Sequence, residues 1–425
     1  MQKKFLSFAF VAAMLFTGAA FTSCSDDDDD DVFYDTESLI TFENVVPMKE
    51  FVQYGTFRGT DQPVILPGQS VSFQFYAGKG QRLMFATMYG YSNDMFFAPE
   101  NPGLQLFNDN GTAITGDVSS QIHLWDNGTR INVQPGPNID HPGAVEVGNV
   151  TKIETEDAQG NLYRAASELM KLNLAYDAAT SQFTLTITNA SNTAGNGINE
   201  TPFSPGVWAV SNMIDGKLAK EEPFFKAGEK SSVQLTALAE SGNNEPLANV
   251  ARDMTGPITT LSPVLVVVYT GDINPIYQLG AKENNIGLKE LAQKGDASRL
   301  KSSLEGMTNV RHVYVLGSNP IKPGEKVDVR FRAWSQDKIA YATMYGYSND
   351  WFFANSESIA ANFVGDLTGR TTLLDSGTGI NQYPGAGNHQ ALFGGTPQAE
   401  DNAVSVVGTT FPTLPVANVI KVTVQ

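Results

Sequence analysis

Cysteine is nearly missing from this chain: one residue, Cys24, in 425. A lone thiol has no internal partner, so the fold holds no intrachain disulfide. Histidine is scarce as well. His123, His141, His312 and His389 stand far apart, without the His-x-x-x-His spacing of a zinc enzyme. There is no nucleophile elbow and no phosphate-binding loop, and nothing singles out a carboxylate pair of the glycosidase kind. Basic residues are outnumbered 28 to 45, which disfavours nucleic-acid binding, since phosphate recognition needs clustered Lys and Arg. No later stretch reaches the ~20 apolar residues of a membrane-spanning helix. These absences argue against an enzyme.

What is present begins at the N-terminus. Lys3 and Lys4 precede an uncharged apolar run from Phe5 to Ala20, then Phe21-Thr22-Ser23-Cys24. A positive start, a short apolar core and small residues before a cut site describe a secretory signal over residues 1–23. The segment resembles a bacterial lipoprotein signal, in which the cysteine becomes the lipidated first residue. Phe21 stands where that pattern usually has Leu. Six aspartates, Asp26 to Asp31, follow. Like charges repel and extend a chain, so residues 24–37 read as a disordered acidic tether. The tract also resembles the export signal of surface lipoproteins in Bacteroidetes-type bacteria, which implies lipid anchoring in the outer membrane, facing outward. Removing residues 1–23 takes away two basic residues and no acidic ones, so the net charge moves from −17 to −19. Such a surface suits solubility and attracts cations.

Few charges, many turn residues and β-branched runs point to an all-β extracellular protein. Some 400 residues allow two domains. The chain also repeats itself. Ala86-Thr-Met-Tyr-Gly-Tyr-Ser-Asn-Asp94 recurs letter for letter as Ala342 to Asp350, and Phe96-Phe97-Ala98 as Phe352-Phe353-Ala354. Upstream, Pro67-Gly68 and Pro323-Gly324 each feed a strand of alternating apolar positions. Downstream, Asp126-Asn-Gly-Thr-Arg-Ile-Asn132 pairs with Asp375-Ser-Gly-Thr-Gly-Ile-Asn381. A second pair of segments lies between. Ser204-Pro205 and Leu238-Ala239-Glu240-Ser241-Gly242 match Ser262-Pro263 and Leu291-Ala292-Gln293-Lys294-Gly295. Residues 283–305 carry spaced leucines among charges and predict a short helix.

The Ser-Pro strand at 262–269, Leu-Ala-x-x-Gly at 291–295, Ser348-Asn349-Asp350-Trp351-Phe352 and Asp375-x-Gly-Thr378 resemble, in that order, the spondin N-terminal domain of F-spondin and mindin. The resemblance covers nearly all of residues 258–425. It implies two β-sandwich domains with short helical insertions, at 38–255 and 258–425, a calcium ion at one end, extracellular binding or adhesion, and no catalysis. In the first copy the motifs come in a different order. That leaves two arrangements: a circular permutant, which costs less loop-closure entropy, or an exchange in which 38–160 pairs with 258–307. The permutant is preferred.

Calcium takes six to eight oxygens from carboxylates, amides and water. The candidate ligands are Asn93, Asp94 and Asp126 in the first copy and Asn349, Asp350 and Asp375 in the second. The competing reading is that these residues merely cap turns. The family usually shows an acid just after Gly-Thr. Here Arg130 and Gly379 stand there, and Arg130 can fill the position with its own charge, which makes the second copy the better candidate. Tyr89, Tyr91 and Trp125, with Tyr345, Tyr347 and Trp351, lie near the motifs. They can stack on sugars if exposed, or belong to the sandwich core. The expected protein is a surface lipoprotein acting as a binding or adhesion module for a protein or glycan. The alternative is a structural or glycan-uptake accessory lipoprotein without calcium.

Overall fold

The strands of this chain carry two kinds of pattern, and each predicts what covers them. Gln182–Asn189 alternates half-buried and buried positions along its length, as a strand with one face on a core must. Val264–Tyr269 and Gly206–Ser211 are buried at every position, so both their faces are covered. The computed structural model describes residues 34–194 and 199–425. The signal segment, Cys24 and the six aspartates lie outside the described residues. Asp35–Gln425 is one compact unit, an all-β sandwich-type fold with a few short helices, in which the sheets divide into two lobes.

In lobe 1 a seven-stranded sheet runs Phe51–Phe57, Gly206–Ser211, Arg82–Met88, Met95–Pro99, Ile122–Asp126, Thr151–Ile153, with Leu104–Gln105 beside Arg82–Met88. A four-stranded sheet, Ser70–Tyr76, Gln182–Asn189, Met170–Asp177, Gly116–Asp117, packs on one face. Phe75, Phe85, Phe97, Leu124, Phe183 and Ile187 fill the space between. Helices Val233–Ser241 and Glu245–Asp253 cover the other face through Leu235, Leu238, Leu247 and Ala251.

Lobe 2 repeats this plan. Its larger sheet runs Val310–Leu316, Val264–Tyr269, Lys338–Met344, Trp351–Asn355, Thr371–Asp375, Ser405–Val406. Its smaller sheet is Lys326–Ala333, Thr36–Asn44, Ile420–Val424, Gly365–Asp366. The expected helix in 283–305 is two helices, Leu288–Lys294 and Ser298–Glu305, which cover the outer face with Leu288, Leu291, Leu300 and Leu304. Among the described residues no helix is long and apolar enough to cross a membrane.

The expected boundaries need one correction. Thr36–Asn44 was assigned to the tether and the first sandwich. It is instead a central strand of lobe 2, paired with Lys326–Ala333 on one side and Ile420–Val424 on the other. Its buried Ile40 and Phe42 sit in the lobe 2 core, which explains the choice. Lobe 1 is therefore inserted into lobe 2, between Asn44 and Val264. Its two ends meet where Phe51 N donates to Met254 O at 3.1 Å and Gly256 N to Phe51 O at 3.0 Å. An insertion whose ends are adjacent at the host surface leaves the host sheet intact.

Strand order explains the shuffled motifs. In lobe 1, Met170–Asp177 and Gln182–Asn189 form a hairpin. Their counterparts in lobe 2 are the last and first strands among the described residues. Beyond Thr36–Asn44, the larger sheets do not trade strands: Gly206–Ser211 pairs with Arg82–Met88, and Val264–Tyr269 with Lys338–Met344.

Candidate functional site

The site of lobe 2 starts from a serine. Ser348 Oγ donates to Tyr345 O at 2.7 Å and accepts from Trp351 N at 3.0 Å. This closes the Tyr-Gly-Tyr-Ser-Asn-Asp loop and buries Asp350 completely. One carboxylate oxygen of Asp350, Oδ2, accepts from Ser376 Oγ (2.8 Å), Thr378 N (2.8 Å) and Gly379 N (2.9 Å). The other, Oδ1, accepts nothing. A buried, unpartnered carboxylate oxygen is costly.

Two further loops bring acids to Asp350. Asp375 accepts from Gly377 N at 2.8 Å through Oδ1 and from Asn381 Nδ2 at 2.6 Å through Oδ2. Gly377 has φ +70°, and a Cβ there would lie 2.5 Å from Asn402 O, so this tight turn needs glycine. Glu400 arrives on a third loop, its N donating to Thr378 O at 3.3 Å. One oxygen from each of Asp350, Asp375 and Glu400 lies within 4.8 Å of the others, the only such group of three ligating side chains among the described residues. Oxygens bound at 2.3–2.6 Å to one calcium sit at most about 5 Å apart, so these three can share an ion. Asn381, whose Nδ2 is bonded to Asp375, also has a buried Oδ1 without a partner.

The electrostatics agree with a site that wants positive charge. Burial, then the charge of Asp375, pushes Asp350 up from 3.8 to about 7, against the pull of its hydrogen bonds. Burial and Asp375 also raise Glu400. Three hard carboxylates suit calcium or magnesium rather than a soft metal.

Lobe 1 repeats the arrangement. Asp94 Oδ2 accepts from Thr129 N and Arg130 N, both at 2.8 Å, while its Oδ1 accepts nothing. Asp126 accepts from Gly128 N and Asn132 Nδ2, both at 2.7 Å, and Asn132 Oδ1 is unpartnered. Glu146 stands where Glu400 does, its N on Thr129 O at 3.0 Å. Burial, then Asp126, raises Asp94 to about 6. These carboxylates do not converge as tightly as the lobe 2 group.

Three expectations change. Arg130 does not fill the ion position, because its guanidinium makes a two-bond pair with Glu240, both bonds 2.8 Å. Asn349 and Asn93 hold loops instead of facing the acids: their Oδ1 atoms accept from Gln382 N (3.0 Å) and Val133 N (3.2 Å). The aromatic residues offer no faces for sugars. Tyr89, Trp125, Tyr345, Tyr347 and Trp351 are buried, and Tyr91 is half-buried against the lobe 1 core. Tyr89 stacks on Phe97, Trp125 packs edge-on against Phe225, and Trp351 against Tyr345. The apolar area of such rings is worth more in the core than the sugars could return at the surface. The acids that sequence reasoning missed, Glu146 and Glu400, follow Asn132 and Asn381 by 14 and 19 residues, so the repeat does not align them.

A cavity of about 640 Å³ lies beside Ser204-Pro205 and Gly242 and contains none of these cluster carboxylates. No protein-family model matches the chain, and no curated protein matches its sequence.

Proposed function

We propose that this chain is a lipid-anchored surface protein of the spondin-like kind, a binding or adhesion module whose lobes each hold a calcium ion. The lobe 2 ion is the tighter one. The observation that carries this reading is that Asp350, Asp375 and Glu400 each bring an oxygen within 4.8 Å of the others, Asp350 being buried with its Oδ1 unpartnered. Asp350, Asp375, Glu400 and Asn381 would hold the ion in lobe 2, and Asp94, Asp126, Glu146 and Asn132 in lobe 1. Calcium there would neutralise mutually repelling carboxylates and fix the loops that carry them.

Several sequence features support the rest. Cys24 has no cysteine to pair with and directly follows an apolar leader. Acyl chains at such a residue supply about 0.8 kcal/mol of membrane affinity per buried CH₂. The acidic run behind it is the basis for an outward-facing outer-membrane address. The ligand is an extracellular protein or glycan.

The test is adhesion and glycan-array binding by the chain from Ser25 onward, with calcium and with a chelator. Binding that disappears on chelation is expected. Glycan binding that ignores the chelator would favour the calcium-free accessory lipoprotein.

A further inference from the structure

The lobe 2 cluster does not face open water on all sides. From it grows the loop 379–394, one of the segments lobe 1 rests on, beside Tyr347 Oη donating to Met213 O at 2.6 Å and Lys322 Nζ to Asp215 Oδ2 at 2.7 Å. Its root is the cluster itself: Gly379 N is held by Asp350, the Asn381 side chain by Asp375, and Gln382 N by Asn349. The residue after Asn381 then crosses to lobe 1. Gln382 Nε2 donates to Ala179 O and Ser181 Oγ, both at 3.1 Å. Asn388 N donates to the same Ser181 Oγ at 2.9 Å, and Asn388 Nδ2 to Tyr176 Oη at 2.9 Å. Gln81 of lobe 1 donates to Gly385 O at 2.9 Å, and Tyr383 stacks on Tyr76 at 5.1 Å.

On the lobe 1 side the receiving element is the turn between Met170–Asp177 and Gln182–Asn189. Ser181, fully buried there, sits at φ +60° without being glycine, so neighbouring contacts must hold it in a conformation it disfavours. Two of those contacts come from the loop. Beside the joint a cavity of about 490 Å³, lined by Asp215, Tyr347, Ala391 and Leu392 among others, leaves one flank unfilled. On the other flank Ala386 is buried in the lobe 1 core and Tyr383 packs against it.

Lobe 1 contains the same loop without a guest. Ile131-Asn132-Val133-Gln134-Pro135-Gly136 parallels Ile380-Asn381-Gln382-Tyr383-Pro384-Gly385. Gly136 N donates to Tyr91 O as Gly385 N does to Tyr347 O. Yet Val133, Gln134, Pro137 and Asn138 are exposed, whereas Gln382 and Pro384 are buried.

We infer that the cation at Asp350, Asp375 and Glu400 controls the joint between the lobes, by fixing the root of the loop that docks on the Tyr176–Ser181 turn. This rests on the cation reading above. Without positive charge the three acids repel one another. The hydrogen bonds of Asp350 and Asp375, which anchor Gly379 and Asn381, then loosen together, and Gln382 loses its aim at lobe 1. With the cation the root is rigid and the lobes move as one body. The lobe 1 cation, by contrast, stiffens only its own exposed loop.

The experiment is hydrogen exchange on the chain from Ser25 onward, with calcium or chelator, read at residues 176–182. That turn holds no cluster residue, and Asp375→Asn, which leaves the lobe 1 acids intact, separates a response through the joint from one to the lobe 1 ion. Calorimetry on the same samples reports binding separately. In the wild type, calcium should slow exchange at 176–182 by about tenfold. Asp375→Asn should abolish the response. Gln382→Ala keeps every cluster carboxylate, so it should bind calcium yet lose the response. Binding seen by calorimetry with exchange at 176–182 unchanged in the wild type overturns the joint and leaves the cation reading standing. No binding at all overturns both.

Discussion

Asp350 shows how one side chain does two things. Oδ2 organises the Ser376–Gly379 turn, and Oδ1, buried without a partner, is the atom the proposed ion would take. Its folded pKa is about 7 against an ordinary 3.8. Folding therefore takes up a proton across that window, and the cation-free protein loses stability as pH rises through it. Under the proposed function calcium would compete with that proton. In chelator, the melting temperature should rise as pH falls from about 8 to about 5, and the gain from added calcium should shrink over the same range. A calcium gain independent of pH would count against Asp350 as a ligand. Glu400 gives a second test. Glu400→Gln keeps the shape and removes one charge, so calorimetry should show calcium affinity in lobe 2 down at least about tenfold, with the fold retained. Asp350 and Asp375 were legible in the sequence because the chain prints them twice in matching frames. Glu400 was not, because its loop differs in length between copies. Nor was the burial of the aromatics, since Tyr-Gly-Tyr reads the same whether its rings face in or out.

At the level of elements, the two short motifs Ser-Pro and Leu-Ala-x-x-Gly prove to be one contact. In both lobes the Leu and Ala are buried under the sheet, and the glycine ends the helix at φ +68° or +71°. A Cβ on Gly242 would lie 2.9 Å from Ser204 Cβ, and one on Gly295 2.8 Å from Ser262 Cβ. The serine in turn holds the neighbouring strand, Ser262 Oγ accepting from Met344 N at 2.8 Å. Gly295→Ala meets both a left-handed backbone and a clash, so denaturant unfolding should show a loss of about 1–3 kcal/mol. Gly271→Ala, in open space but also at positive φ, should cost less. The strands themselves were readable from apolar alternation. The fully buried ones were not distinguishable from helix by periodicity, and only the helices packed on them account for Val264-Leu-Val-Val-Val-Tyr269.

The whole molecule is a sandwich inserted into its own relative. That could not be read from the repeat, because the strand that betrays it, Thr36–Asn44, lies far from its partners: Ile40 pairs with Val329 and Val424. Contacts across nearly the entire chain leave no local trace in sequence. The insertion makes a sharp prediction. A chain beginning at Val46 loses the central strand of the smaller lobe 2 sheet but keeps every residue of lobe 1. Limited proteolysis should then degrade residues 258–425 and spare 51–253. The reverse pattern would place Thr36–Asn44 with lobe 1 after all.

Two lobes with repeated acid clusters make calcium binding the claim on which the account turns. It is tested most directly by calorimetric titration of calcium into the chain from Ser25 onward, beside an Asp350→Asn variant. The account predicts saturable binding with a tighter site that the variant removes. No heat of binding up to about millimolar calcium, or a titration that Asp350→Asn leaves unchanged, would contradict it.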